Sequence, residues 1–254
     1  MLQKSGFRIL KNNASLISNF LHLGFIQISS ILLQIIIFPV IIRIVGIEIF
    51  GHIIVANTFA VFISVIINYG TSQSGIKDIA ANWTNNNIGS IFSSIIYTRI
   101  LLLLLPAITL LLLHFTSYNY YSYLIFATPI IISEALNPLF FYVGIEKILI
   151  LNIANFFAKV LSLLGIIFFI HSTNDAPLVN LIIGLPSSII YAVLIVYAIK
   201  KYKISFHLPN RITIKKILFQ NASLCFNNIS INLQQSFFIF ILSIVASPVI
   251  LGAY

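Results

Sequence analysis

Long apolar runs separated by short polar gaps occupy almost the whole chain. Seven runs, at 16–40, 51–69, 89–113, 121–143, 148–170, 177–199 and 218–246, reach the roughly 20 mainly apolar residues that a membrane-crossing helix needs. They are too long for barrel strands and lack a two-residue alternation. The pattern predicts an all-α integral membrane protein, because a helix satisfies its own backbone hydrogen bonds in lipid. The first run exceeds the ~7–15 residues of a signal-peptide core, and no small-residue cleavage site follows, so it reads as a retained span. Pro106, Pro129, Pro138 and Pro186 fall inside predicted spans. Each removes one helical hydrogen bond and favours a kink.

Composition agrees with the pattern. Only 7% of residues are charged and mean hydropathy is +1.06, against about 25% charged residues in soluble domains. The formal net charge of +9 would point to nucleic acid in a soluble protein; here its placement gives another meaning. Lys4, Arg8, Lys11, Lys77, Lys147, Lys200, Lys201, Lys203, Arg211, Lys215 and Lys216 fall in alternate gaps, and only Arg43 falls on the opposite side. The pattern then predicts a multispanning inner-membrane protein, with a cytoplasmic N-terminus by the positive-inside rule and no nucleic-acid partner. The single Cys225 offers neither a disulfide framework nor a zinc site.

Two gap segments read as interfacial. Ile76, Ile79, Ala80 and Trp83 have helical spacing, which predicts a short helix lying at the headgroups with Trp83 as its anchor. The stretch from Arg211 to Leu218 alternates basic and apolar residues, and reads as a loop anchor.

Polar stripes mark several spans. Asn152, Asn155, Lys159 and Ser162 share a face of span 5, and Asn228, Asn232 and Gln235 repeat the arrangement on span 7. Gln27, Ser30 and Gln34 lie in span 1, and Asn57, Ser64 and Asn68 in span 2. Arg99, Glu134 and Lys159 fall near mid-span, where each charge costs about 2.5–3.5 kcal/mol on an insertion scale. Either Glu134 pairs with Arg99 or Lys159 to hold spans 3, 4 and 5 in register, or these groups face a polar cavity. Even a pair leaves one surplus cation, which favours an anionic cargo rich in hydrogen-bonding groups.

Three motifs stand in order at loop positions: Gly46-Ile-Glu-Ile-Phe-Gly51, Gly70-Thr-Ser-Gln-Ser-Gly-Ile-Lys-Asp-Ile-Ala80 and Asn137-Pro-Leu-Phe-Phe-Tyr-Val-Gly-Ile-Glu-Lys147. Together they resemble the Wzx-type polysaccharide (O-antigen) flippases of the superfamily that also holds the MATE exporters. Phe140 to Val143 stand where that family often has Trp and Gln. The resemblance implies a two-lobe helical bundle. It also implies alternating-access transport of an undecaprenyl-diphosphate-linked oligosaccharide for lipopolysaccharide or capsule synthesis, with polysaccharide polymerase and chain-length partners.

On this reading residues 1–203 form a six-helix lobe, and 204–254 hold a cytoplasmic linker and the first helix of a second lobe. The repeat of Asn13-Ala-Ser-Leu16 as Asn221-Ala-Ser-Leu224 fits a second lobe beginning, so the chain reads as the N-terminal part of a longer transporter. Arg99 and Lys159 are the candidate phosphate contacts. Asn152, Asn155, Asn228, Asn232 and Gln235 are the candidate sugar contacts, and Glu134 is the candidate ion-coupling acid. A MATE-type drug exporter is the alternative, disfavoured by a net positive cavity. A polymerase or glycosyltransferase is less favoured, because no carboxylate pair, metal cluster or nucleophile triad is visible. No cofactor is expected.

Overall fold

The computed structural model describes residues 24, 26, 28–33, 35–83, 87–115, 120–245, 250 and 252. The expectations for Lys4, Arg8, Lys11, Asn13 to Leu16, Gln27 and Gln34 lie outside the described residues. Every regular element among the described residues is helical: α1 (Ile28–Val45), α2 (Ile47–Asn68), α3 (Thr71–Asn82), α4 (Ile88–Leu102), α5 (Leu104–Phe115), α6 (Tyr121–Phe126), α7 (Thr128–Leu136), α8 (Leu139–Gly144), α9 (Ile148–Phe169), a 3-10 turn (Thr173–Asp175), α10 (Leu178–Lys201) and α11 (Arg211–Val245).

Among the described residues, six stretches are long and apolar enough to cross a membrane: α1, α2 with α3, α4 with α5, α6 to α8, α9 and α10. The seventh predicted span lies within α11, a 35-residue helix that runs unbroken from Arg211. The predicted loop anchor from Arg211 to Leu218 is therefore the first two turns of that helix.

Prolines set two of the breaks. Pro138 has no N–H to offer the Glu134 carbonyl, and the chain turns extended at Asn137 between α7 and α8. Pro129 frees the Ile125 carbonyl in the same way, and the Thr128 hydroxyl takes its place at 2.7 Å. The α2–α3 break has a different cause. Tyr69 and Gly70 both adopt left-handed backbone, with φ of 50° and 71°.

The core divides into three clusters along the bundle. One surrounds Phe140, Phe141 and Tyr142 of α8, all wholly buried, with Phe92, Ile79 and Ile195. A second joins α1, α2, α9 and α10 through Ile41, Ile53, Ile166 and Val179. The third joins α2 to α6 and α7 around Ala60, Ile67 and Ala135.

One expectation is corrected. Helix α3 does not lie exposed at the headgroups: Thr71, Ser72, Gly75 and Ile79 are buried against α4 and α8. Gly75 makes this packing close, because a Cβ there would stand 2.7 Å from Ile95 Cδ1 and 2.9 Å from Phe140 Cβ. The amphipathic pattern was real, but its apolar side found protein rather than lipid. Trp83 remains partly exposed and meets Phe141 and Tyr202 edge-on.

Candidate functional site

The two helix breaks meet the last turn of α4, near the middle of the α4–α5 crossing. Arg99 lies about 16 Å along the helix from Ile88, and its side chain is 0% exposed. The Nε donates to Thr71 Oγ1 at 2.8 Å and Nη2 to Ser72 Oγ at 3.0 Å. The Nη1 donates to the Asn137 carbonyl at 2.8 Å and the Glu134 carbonyl at 3.4 Å. The Glu134 carbonyl accepts the Asn137 N–H at 3.2 Å where proline offers no donor, and the guanidinium adds to that ladder and takes the Asn137 carbonyl beside the Pro138 break. The Phe140 ring lies 5.3 Å from the guanidinium carbon, within cation–π range.

The Glu134 carboxylate is held separately. Asn68 Nδ2 donates to one oxygen, and Asn137 Nδ2 to the other at 3.1 Å. Asn68 also joins the two halves of the cluster. Its Nδ2 donates to Ser72 Oγ at 2.8 Å, while its Oδ1 accepts from the Ser72 N–H at 3.3 Å. Ser72 therefore links Asn68 to Arg99. The predicted Arg99–Glu134 connection exists, but it runs through the Glu134 backbone and this relay rather than through a guanidinium–carboxylate fork. Glu134 and Asn137 are half-buried, while Arg99, Thr71 and Ser72 are buried. The acid and its two amide partners, Asn68 and Asn137, are thus the more accessible members of the cluster, and in this conformation the guanidinium spends its donors on protein.

The other predicted residues stand in different settings. Lys159 is half-buried on α9 and donates to the Ser30 carbonyl of α1 at 3.0 Å. Asn155 accepts from the Tyr191 hydroxyl of α10 at 2.8 Å, and Asn152 is half-buried on the same stripe. Asn228 of α11 exchanges two amide hydrogen bonds with Gln73 of α3, at 3.3 and 3.4 Å. Asn232 is half-buried with its Oδ1 lacking a partner among the described residues, and Gln235 is exposed. A cavity of about 750 Å³ lies between α3, α4, α11 and residues 207–210, and none of these predicted residues lines it.

Sequence reasoning missed Asn180, which is wholly buried near the start of α10. It donates to the Ile53 carbonyl at 3.0 Å and accepts from Asn57 at 3.2 Å. Near Pro177 at a span end, it stands outside the polar stripes that the spacing marks. Thr71 and Ser72 were in view within a motif, but their place in an apparent surface helix hid their role. No group of three or more His, Cys, Asp or Glu side chains able to hold a metal occurs among the described residues.

Comparison with known proteins matches residues 16–254 to the family described as "Polysaccharide biosynthesis protein". The chain is also 23% identical over 252 residues to the "Putative O-antigen transporter" of Escherichia coli (strain K12). That alignment covers 96% of this chain and 60% of the relative, so the chain spans about 60% of the length of that curated protein. No solved structure matches the chain.

Proposed function

The chain belongs to the polysaccharide biosynthesis protein family, and from that premise we propose that it is the N-terminal part of a flippase for lipid-linked oligosaccharide. Residues 1–203 serve as one lobe, and 204–254 as a linker with the first helix of a second. The intact transporter works by alternating access in the bacterial inner membrane, with the N-terminus of this chain in the cytoplasm. It moves cargo rather than making or breaking bonds. Its cargo is an undecaprenyl-diphosphate-linked oligosaccharide bound for the cell surface, and polymerase and chain-length proteins act on the delivered product.

The family match over residues 16–254 carries this reading. The geometry supports it in one respect above others: a half-buried carboxylate stands in the middle of the bundle, where two helix breaks meet. An ionisable group kept at that depth is expensive and marks a transport pathway by default. In the proposed cycle Glu134 takes and releases the coupling ion. Asn68 and Asn137 hold its two oxygens, and a change in its charge would alter both amide contacts at the breaks. Arg99 fixes the α3–α4–α8 side of this hinge, and gains access to cargo phosphate only when the Thr71 and Ser72 contacts open. Lys159, Asn152 and Asn155 on α9, with Asn228, Asn232 and Gln235 on α11, supply phosphate and sugar contacts.

The test is Glu134→Gln in the complete transporter. Surface polysaccharide should fall by at least about tenfold, the scale of 1.4 kcal/mol, with normal membrane insertion. Undiminished polysaccharide would overturn the coupling role. Lys159→Ala, read the same way, tests the phosphate contact.

A further inference from the structure

Close contacts set how α10 lies against its neighbours. Gly184 rests on α7 so tightly that a Cβ there would stand 2.5 Å from the Ile130 nitrogen. One turn on, the Ser188 hydroxyl donates to the Pro129 carbonyl at 2.7 Å. Further along, the Leu194 carbonyl accepts from the Tyr142 hydroxyl of α8 at 2.9 Å. Glu134 falls between Pro129 and Tyr142 on the α6–α8 crossing, and Tyr191 falls between Ser188 and Leu194 on α10. Gly184, Ser188 and Tyr191 also share one helix face, by their i, i+4, i+7 spacing. The register thus sets Tyr191 beside Glu134. Helix α10 also packs antiparallel on α9. There the Ser162 hydroxyl donates to the Ile183 carbonyl at 3.2 Å, and the Tyr191 hydroxyl to Asn155 Oδ1 at 2.8 Å.

Tyr191 therefore stands between two groups of the candidate site, the Glu134 acid on α7 and the Asn155 amide on α9. All three side chains are half-buried, and Glu134 is the charged group whose field acts on the Tyr191 hydroxyl. A phenol hydroxyl has one proton to donate. In this conformation it goes to Asn155. The Glu134 carboxylate accepts one amide at each oxygen, and a carboxylate has room for about four donors. A hydrogen bond to an ionised acceptor is roughly twice as strong as one to a neutral amide. That advantage disappears when the acid is neutralised.

We propose that Tyr191 is a positioning residue that ties the charge on Glu134 to the availability of Asn155. With Glu134 ionised, the ring turns so that its hydroxyl donates to the carboxylate, and Asn155 Oδ1 is released to accept from a sugar hydroxyl. With Glu134 neutralised by the coupling ion, the hydroxyl returns to Asn155 and displaces the sugar. The arrangement in the structure is that of the neutralised acid. One donor shared between two acceptors makes ion uptake and sugar retention exclude each other, which is the condition for exchanging one against the other. This role rests on the coupling part of Glu134 and the sugar contact of Asn155 proposed above.

The experiment uses the complete transporter with 3-fluorotyrosine at position 191, read by its fluorine resonance. Glu134→Gln should move that resonance, because the neutral amide leaves the hydroxyl on Asn155. The same comparison with 3-fluorophenylalanine, which keeps the ring and lacks the hydroxyl, should show little change. Transport is then measured in proteoliposomes with an undecaprenyl-diphosphate-linked oligosaccharide. Tyr191→Phe should lower the maximal rate by about fivefold, the worth of one neutral hydrogen bond. The half-saturating cargo level should stay the same or fall, since Asn155 is then always released. A resonance unmoved by Glu134→Gln, an equal movement without the hydroxyl, or an undiminished rate in Tyr191→Phe would each overturn the proposal. With Glu134→Gln inactive in the same assay, the coupling part of Glu134 would still stand. An active Glu134→Gln transporter would instead overturn that part, and the role of Tyr191 with it.

Discussion

Two polar regions of this bundle handle buried hydrogen-bonding groups in opposite ways. Around Arg99 the guanidinium meets two hydroxyls and two carbonyls beside the Pro138 break. Along α11, Asn221 and Asn232 keep acceptors with no partner among the described residues, although Asn228 is paired with Gln73. The contrast separates fastening from readiness. A satisfied buried network rigidifies its surroundings, whereas a partly satisfied one stores a demand for another group. The α3–α4–α8 side is bolted, and the α11 side is built to accept something more or to move.

The strongest attempt to break this comparison is Arg99→Leu. It strips the Asn137 carbonyl of its guanidinium donor inside the bundle and leaves the Thr71 and Ser72 hydroxyls with Asn68 as their remaining partner. The expected loss is about 3–5 kcal/mol, seen as a large fall in thermal unfolding temperature in detergent. Arg99→Lys should recover only part of it, because an ammonium cannot span four acceptors in a plane.

Gly70→Ala comes next. At φ 71° the new Cβ would stand 2.5 Å from Leu224 Cβ, and the left-handed backbone adds about 1–2 kcal/mol of strain. Helix α11 should lift from the break. A disulfide between Gln73→Cys and Asn228→Cys, in a Cys225→Ala background, should then form in lower yield.

Asn232→Leu should act in the opposite direction. Removing an unpaired acceptor should leave stability unchanged or raise it by up to about 1 kcal/mol. A loss comparable to that of Arg99→Leu would erase the distinction between the two regions.

The smallest effect is expected outside the membrane. Asp175 accepts from the His171 and Ser172 N–H groups at 3.1 and 3.0 Å and from the Ser172 hydroxyl at 2.9 Å. These bonds, the His171 N–H foremost, hold its carboxyl below the usual carboxylate range. The folded value is depressed, so the stabilisation is present above the ordinary carboxylate value and disappears as pH falls through the folded one. The protection of the His171 and Ser172 amides from hydrogen exchange, taken relative to the intrinsic rate at each pH, should fall at acid pH, and at all pH values in Asp175→Asn.

Hydropathy made the bundle legible, because lipid demands long uninterrupted apolar runs and little else produces them. Six predicted spans coincide with long apolar helices. The prolines were visible too, and the Pro138 break came out as a break. What each break exposed was not visible, since a freed carbonyl becomes informative only when its new donor is known. Arg99 stood out by its cost, and its partners did not. Thr71, Ser72 and Asn137 sit 27 to 38 residues away, and no local pattern joins them. Helix α3 misled for a related reason. An amphipathic period states that one side is apolar, but not whether lipid or α8 will cover it. The stripe on α11 was legible as a stripe, while its facing toward Gln73 depended on the bend at Gly70.

The Pro138 break also fixes an order of events during synthesis. Arg99 enters the membrane with its Thr71 and Ser72 acceptors already made, but the Asn137 carbonyl lies 38 residues further on. At ordinary elongation rates that interval is about 2–8 seconds. Through it, the α4–α5 crossing carries a cation only half solvated by protein. Water or the insertion machinery must hold that charge meanwhile. The fourth crossing, broken where it is, ends the wait by delivering the Asn137 and Glu134 carbonyls to the guanidinium. The kink thus acts as a timing device for assembly, and its loss would be felt first in the nascent chain.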